Sequence, residues 1–91
     1  MPSLRIPTPL RAYTAGQSEI AVQGATAGEA LNDLIAQHPA LRPHLFNADG
    51  ALRPFVNLFL GEENISELGG LETPLRVDDR LLLIPSIAGG N

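Results

Sequence analysis

The chain has 91 residues, of which 44% are hydrophobic and 18% charged, and its formal net charge is −4 at pH 7. This length suits one domain with a modest core, and the acidic balance argues against a nucleic-acid partner, since neutralising phosphates needs a basic surface. Cysteine is absent, which excludes disulfides, thiolate metal sites and a cysteine nucleophile. The longest apolar run, Leu81–Ile84, is far shorter than a membrane span of about 20 residues, and the N-terminus lacks a signal-peptide pattern, so we expect a soluble cytoplasmic protein without a membrane partner.

Two alternating segments near the N-terminus predict a β-hairpin. "SLRIP" (3–7) and "SEIAVQG" (18–24) alternate apolar and polar residues, as half-buried strands do. The apolar side chains expected to face inward are Leu4, Ile6, Ile20 and Val22. The segment between them, "PTPLRAYTAGQ" (7–17), contains two prolines and a glycine and is predicted to be a turn or a loose loop.

The segment "TAGEALNDLIAQHP" (26–39) predicts the main helix. Thr26 can cap its N-terminus, and Glu29, three residues later, completes a capping box. Residues at three- and four-residue spacing form an apolar face, and Pro39 ends the helix because a proline disfavours helical geometry in the residue before it. The next segment predicts one short helical turn, followed by a tight turn at Asp49-Gly50.

Two longer strands are predicted in the second half, at "RPFVNLFLG" (53–61) and "RLLLIP" (80–85). The polar, glycine-containing segment between them predicts short strands or turns near Ile65 and Leu75. The order is strand, strand, helix, strand, short elements, strand, which predicts an α+β domain with a mixed four- to five-stranded sheet and one helix on one face. The β-grasp arrangement has this order, so we predict a β-grasp domain over residues 1–84 and a flexible tail over 85–91.

Residue patterns that would indicate catalysis are missing. No serine–histidine–aspartate spacing occurs, and the carboxylate pairs Glu62-Glu63 and Asp78-Asp79 are expected to be solvated in loops. The only histidines are His38 and His44, which are predicted to end a helix and to lie in a proline-bounded turn rather than to bind metal. We therefore expect neither an independent enzyme nor a metal site.

Two features instead indicate a partner protein. If the helix covers the face of Leu58 and Leu83, an apolar patch lies on the other face, unless loops cover it or the faces are inverted. The predicted patch consists of Phe55, Phe59, Leu82 and Ile84. The strand then leads into "PSIAGGN" (85–91), where Gly89 and Gly90 lack side chains that would block a narrow channel, although a frayed terminus without a role is the alternative.

Taken together, these segments resemble the MoaD/ThiS group of ubiquitin-like sulfur carriers over nearly the whole chain. The segments that carry the resemblance are "LRIP", "TAGEALNDLIAQHP", "FVNLFLGEENI" and above all "VDDRLLLIPSIAGG". The block "GGLETPL", together with the strand "FVNLFL", is most similar to the branch that supplies sulfur for cysteine biosynthesis.

The resemblance implies a mechanism in which the terminal glycine, here Gly90, is the working group. An E1-like enzyme that uses ATP and magnesium would adenylate its carboxylate, and a sulfur donor would replace AMP to give a thiocarboxylate. An acceptor enzyme, in the cysteine branch a pyridoxal-phosphate cysteine synthase, would use that sulfur. The strand end and tail, Pro85, Ile87 and Ala88, would contact these partners along with the apolar patch.

Asn91 departs from the active pattern, because it places the Gly90 carbonyl in a peptide bond. Members of the resembled family are made with extra terminal residues that a zinc-dependent JAMM-type protease removes, so Asn91 is interpreted as such a cap, unless it has another origin. Four alternative roles stay open: a ubiquitin-like modifier joined to lysines, the small subunit of a molybdopterin synthase, a thiazole-pathway carrier, or a β-grasp binding module with an inert tail.

Overall fold

The computed structural model describes residues 1–85 and arranges them as a mixed sheet with a helix across one face. The strands are β1 (Ser3–Arg5), β2 (Glu19–Ala21), β3 (Val56–Leu60), β4 (Glu63–Asn64) and β5 (Arg80–Pro85), and the α-helices are α1 (Ala27–Gln37) and α2 (Arg42–Leu45). Within these residues the strand order is β2-β1-β5-β3-β4, with β1 and β5 parallel and the other pairs antiparallel. This topology confirms the predicted β-grasp fold.

The predicted N-terminal hairpin is present, and its inward side chains are buried. Leu4 in β1 pairs with Ile20 in β2, and these side chains are 0% and 4% exposed. β1 ends at Arg5, two residues earlier than the predicted segment, although the Ile6 amide still donates to the Ser18 carbonyl at 2.8 Å. Pro7, next in the chain, has no amide hydrogen to continue the ladder.

The segment after β1, predicted to be a turn or a loose loop, is more regular: a turn at 14–16 is present, but a helix precedes it. Residues Thr8–Tyr13 form a 3-10 helix, and Pro9 fits in its first turn, where an amide hydrogen is not needed. Leu10 is buried in the core. Thr14 is fully buried, and its hydroxyl lies 2.9 Å from the Gln17 carbonyl oxygen and 3.2 Å from that of Arg11. Buried Leu10 and the satisfied Thr14 hydroxyl explain why this segment is ordered despite its prolines.

Helix α1 begins and ends where the sequence predicts, with one difference in its cap. The Thr26 hydroxyl accepts a hydrogen bond from the Glu29 amide at 3.2 Å, as in a capping box. The Glu29 carboxylate, however, accepts from the Ala25 amide at 2.8 Å, one residue before the usual reciprocal donor. His38 ends the helix, and its amide donates to the Leu34 carbonyl.

The hydrophobic core lies between α1 and one face of the sheet. Leu81 in β5 pairs with Leu4 in β1 and with Leu60 in β3, while Leu83 pairs with Leu58. All of these side chains except Leu60 are at most 1% exposed, and Leu60 is half-buried against the same core. The helix contributes its apolar face to this core through Ala27, Ala30, Leu31, Leu34 and Ile35.

Short elements fill the connections, as the sequence predicts. Three-residue 3-10 helices at Pro39–Leu41, Ile65–Glu67 and Gly70–Glu72 accompany α2 and β4, and Gly50 adopts a positive φ of 87° in the predicted turn. His44 in α2 stacks on Tyr13, with ring centroids 4.2 Å apart. None of the helices in residues 1–85 has the length and apolar character needed to cross a membrane.

Candidate functional site

The sheet face opposite α1 carries three apolar side chains in adjoining positions, which we call the apolar strip: Phe59, Leu82 and Ile84. Phe59 in β3 is the cross-strand partner of Leu82 in β5, and Ile84 is two residues further along β5. Phe59 and Leu82 are half-buried, and Ile84 is 39% exposed. Three predicted patch residues are therefore on the open face, and their role in partner binding stays a prediction.

The fourth predicted patch residue, Phe55, lies elsewhere. β3 begins one residue later, at Val56, so the strand alternation that grouped Phe55 with Phe59 does not extend to it. Phe55 is half-buried and packs against the hydrophobic core. Its assignment to the open-face patch was therefore wrong, because the chain turns before the strand starts.

Polar amides border the apolar strip on the β4 side. Asn57 is the cross-strand partner of Ile84, and Asn64 in β4 pairs with Phe59. The Asn64 side-chain nitrogen donates to the Asn57 side-chain oxygen at 3.1 Å. This edge of the strip is therefore polar but uncharged.

Charged residues border the strip on the β1 side. Arg5 in β1 is the cross-strand partner of Leu82, and Glu19 in β2 is in turn the partner of Arg5. Arg80 precedes Leu82 by two residues in β5 and therefore shares its face. Arg5, Arg80 and Glu19 are all exposed. This border consequently carries two positive charges and one negative charge.

A shallow groove of about 390 Å³, which we call the basic groove, continues the strip toward the end of β5. Its lining consists of Arg5, Ile6, Pro7, Thr8, Pro9 and Arg11 on one side and Leu82–Pro85 on the other. The Arg11 Nε donates to the Ile6 carbonyl at 3.0 Å, and this hydrogen bond holds the guanidinium group beside the groove. Two positive charges thus lie next to the last residues of β5.

Sequence reasoning missed the basic groove. The outward position of Arg5 follows from its alternation with Leu4 and Ile6, but the position of Arg11 depends on the 3-10 helix that was predicted as a loop. The remaining predicted site residues, Ile87, Ala88, Gly89, Gly90 and Asn91, lie outside the described residues. Pro85 is the last described residue; it pairs with Val56 and lines the groove.

Within residues 1–85, no three histidine or acidic side chains come together where they could hold an ion. The features that the structure brings together are instead an apolar strip, a basic groove and the strand that leads to the two glycines.

Comparison with protein families matches nearly the whole chain. The family model described as "ThiS family" matches residues 4–90, which include the core strands, the apolar strip and both terminal glycines. The chain belongs to the ThiS family. The ThiS-family match ends at Gly90, one residue before Asn91.

Three similar proteins extend this ThiS-family assignment. Sulfur carrier protein CysO of Mycobacterium tuberculosis strain H37Rv is 33% identical over 90 residues, covering 97% of each chain. A chain in the crystal structure of the Amycolatopsis orientalis BexX/CysO complex has a TM-score of 0.89 and 31% identity, covering 99% of this chain and 100% of that one. Small archaeal modifier protein 1 of Haloferax volcanii is 35% identical over 66 residues, covering 72% of this chain and 71% of that protein.

Proposed function

We propose that this protein is a sulfur carrier that holds sulfur as a thiocarboxylate on Gly90. The observation that carries the proposal is the ThiS-family match over residues 4–90, which extends from β1 to the second glycine. Similarity to sulfur carrier protein CysO over 97% of the chain supports the same role. The absence of cysteine is compatible with it, because the sulfur is carried on the main-chain terminus.

The proposed activation has two steps, both performed by an E1-like adenylating enzyme. A Gly90 carboxylate oxygen attacks the α-phosphorus of magnesium-bound ATP, the bond to pyrophosphate breaks, and an acyl adenylate forms. Hydrosulfide, or another donor at the same oxidation level, then attacks the acyl carbon. The carbon–sulfur bond forms, AMP leaves with the electrons of the broken carbon–oxygen bond, and one proton is released. ATP and magnesium bind to the E1-like enzyme, so the carrier itself binds no cofactor in this proposal.

The proposed acceptor is a pyridoxal-phosphate-dependent cysteine synthase. The thiocarboxylate sulfur would act as the nucleophile toward a small molecule held on that enzyme, and the carrier would be returned as a carboxylate after hydrolysis. Similarity to CysO favours this acceptor over the molybdopterin and thiazole pathways. The carrier acts as a protein co-substrate in each case, and we propose no catalytic residue within it.

Any residue after Gly90 must be removed before adenylation, because a peptide carbonyl has no carboxylate oxygen to attack ATP. We propose that a JAMM-type zinc protease hydrolyses the Gly90–Asn91 bond, with water supplying the new carboxylate oxygen. The end of the family match at Gly90 supports this processing point.

The test uses the chain truncated after Gly90, the cognate E1-like enzyme, magnesium ATP and sulfide. Intact-mass measurement should show a gain equal to the replacement of one oxygen by sulfur. The chain that retains Asn91, and a chain truncated after Gly89, should show no gain. Equal conversion of the chain that retains Asn91 would contradict the processing step, and failure of the chain ending at Gly90 would contradict the carrier role.

A second candidate function is that of a ubiquitin-like modifier joined through Gly90 to lysines of other proteins. The similarity to small archaeal modifier protein 1 favours it. The chain contains no lysine, so a modifier of this sequence would not form chains through its own side chains. Immunoblots of cells that express a tagged chain separate the two roles: adducts of higher mass that require Gly90 indicate a modifier, and their absence together with thiocarboxylate indicates a carrier.

A further inference from the structure

We propose that the basic groove binds acidic side chains on the E1-like enzyme. These side chains would surround the opening of the channel that receives the tail. This inference rests on the proposed function and adds to it the chemistry of the surface that the partner presents. The apolar strip would lie against an apolar area of the same partner, and the groove would select partners with acidic groups beside that area.

The charge distribution of the chain favours an acidic partner. The open sheet face and the groove together have Arg5, Arg11 and Arg80 against Glu19, a net charge of +2, whereas the rest of the chain has three arginines against nine acidic residues, a net charge of −6. The open face and groove thus form a positive region of an acidic protein, and among residues 1–85 it is the arginine-lined groove that borders the end of β5. Complementary charge on a partner raises the rate of association and orients the approach.

The arginines of the groove are available for such a partner. Among residues 1–85, neither Arg5 nor Arg11 forms an ion pair, and the only hydrogen bond from either guanidinium is that of the Arg11 Nε to Ile6. Glu19 lies opposite Arg5 on β2, on the side away from the groove, and it does not line the groove. Within residues 1–85, the groove lining therefore contains two positive charges and no carboxylate.

The length of the tail ties the groove to the enzyme's active site. Residues 86–90 separate Pro85 from the reacting carbon, and five residues extend at most about 18 Å. A partner that reacts with Gly90 must therefore bring its own surface close to Pro85, which lines the groove. The length of the chain therefore favours a partner surface beside the groove, and the experiment below tests the charge of that surface.

The test measures binding of the chain ending at Gly90 to the cognate E1-like enzyme by calorimetry, at low and high salt. Arg5→Glu should raise Kd roughly tenfold at low salt, because it places a carboxylate against the proposed acidic side chains, and Arg5→Gln should have a smaller effect. Arg76→Glu is the matched control: Arg76 is also exposed, and it precedes β5 at the end opposite the groove. Arg76→Glu should change Kd by less than about twofold.

The outcomes separate the docking inference from the carrier role. A Kd unchanged by Arg5→Glu, or raised equally by Arg76→Glu, would overturn the proposal, as would dimerisation of the free chain that Arg5→Glu abolishes. A selective loss of affinity that high salt removes would support it. Thiocarboxylate formation at saturating enzyme is measured alongside: if Arg5→Glu binds normally and is converted, only the docking inference fails. If the wild-type chain binds with the expected charge dependence but is never converted, only the carrier role fails.

Discussion

The two faces of β5 differ sharply in burial although both are apolar. Leu81 and Leu83 are each 1% exposed and pack in the core with α1. Leu82 and Ile84 alternate with them and face the other side, where Ile84 is 39% exposed. Neither Leu82 nor Ile84 belongs to the core that α1 covers, and the 3-10 helix at Thr8–Tyr13 borders them across the groove. The need to fold explains why Leu81 and Leu83 are apolar, because burial of their side chains stabilises the domain.

The need to fold does not by itself explain why Leu82 and Ile84 are apolar. Antiparallel and mixed sheets with one open face usually present polar residues there, and an apolar open face lowers solubility. In this protein the apolar side chains continue along the strand to Pro85, the last described residue. We therefore propose that one face of β5 serves stability and that the other serves binding.

The largest expected effect comes from truncating a leucine on the core face. Leu83→Ala should lower the free energy of unfolding by about 2–5 kcal/mol, because it removes buried methyl groups and leaves a cavity beside Leu58. Leu82→Ala is the matched control on the same strand, and it should cost less than about 1.5 kcal/mol because the side chain is only half-buried. Urea denaturation measures both.

The comparison fails if the two leucine variants are equally destabilised. Such a result would mean that the open face is covered in solution, by the tail or by a second copy of the chain. Repeating the measurement on a chain ending at Pro85, and at several protein concentrations, separates these two causes.

A smaller effect, on binding rather than on folding, is expected for Phe59→Asp. Burial of a phenylalanine at an interface contributes about 1.5–3 kcal/mol, so affinity for the E1-like enzyme should fall by at least tenfold. ATP–pyrophosphate exchange at limiting enzyme measures the loss. Phe55→Leu is a useful control, because Phe55 packs against the core and its conservative replacement should leave exchange unchanged. Full exchange activity in Phe59→Asp would show that the apolar strip is not the docking surface.

The sequence predictions drawn from alternation succeeded inside the strands, on both faces, and failed outside them. Alternation placed Leu4, Leu58 and Leu83 in the core correctly, because a strand has a strict period of two. The same rule failed at Phe55, since alternation holds only inside the strand and the residues before Val56 form a turn. The 3-10 helix at Thr8–Tyr13 was also missed, because tertiary packing of Leu10 stabilises it rather than any local pattern.

The candidate site was only partly predictable for a related reason. The apolar strip follows from alternation along two strands, but the basic groove requires residues from β1, the 3-10 helix and β5 to meet in space. No spacing in the sequence indicates that Arg11 lies near Pro85. Sites formed by one strand are therefore accessible from the sequence, whereas sites formed by several elements need the fold.

The smallest predicted effect concerns the cap of α1, the helix that covers the core face. Thr26→Ala removes the hydroxyl that accepts from the Glu29 amide, and the free energy of unfolding should fall by about 1 kcal/mol. Thr26→Ser retains the hydroxyl and should recover most of that loss. Because Thr26 lies on the side of the sheet opposite the apolar strip, neither variant should change the Kd for the E1-like enzyme. If a cap variant that is fully folded under the assay conditions bound the enzyme more weakly, the two faces would be coupled. The proposed division of β5 into a stability face and a binding face would then be wrong.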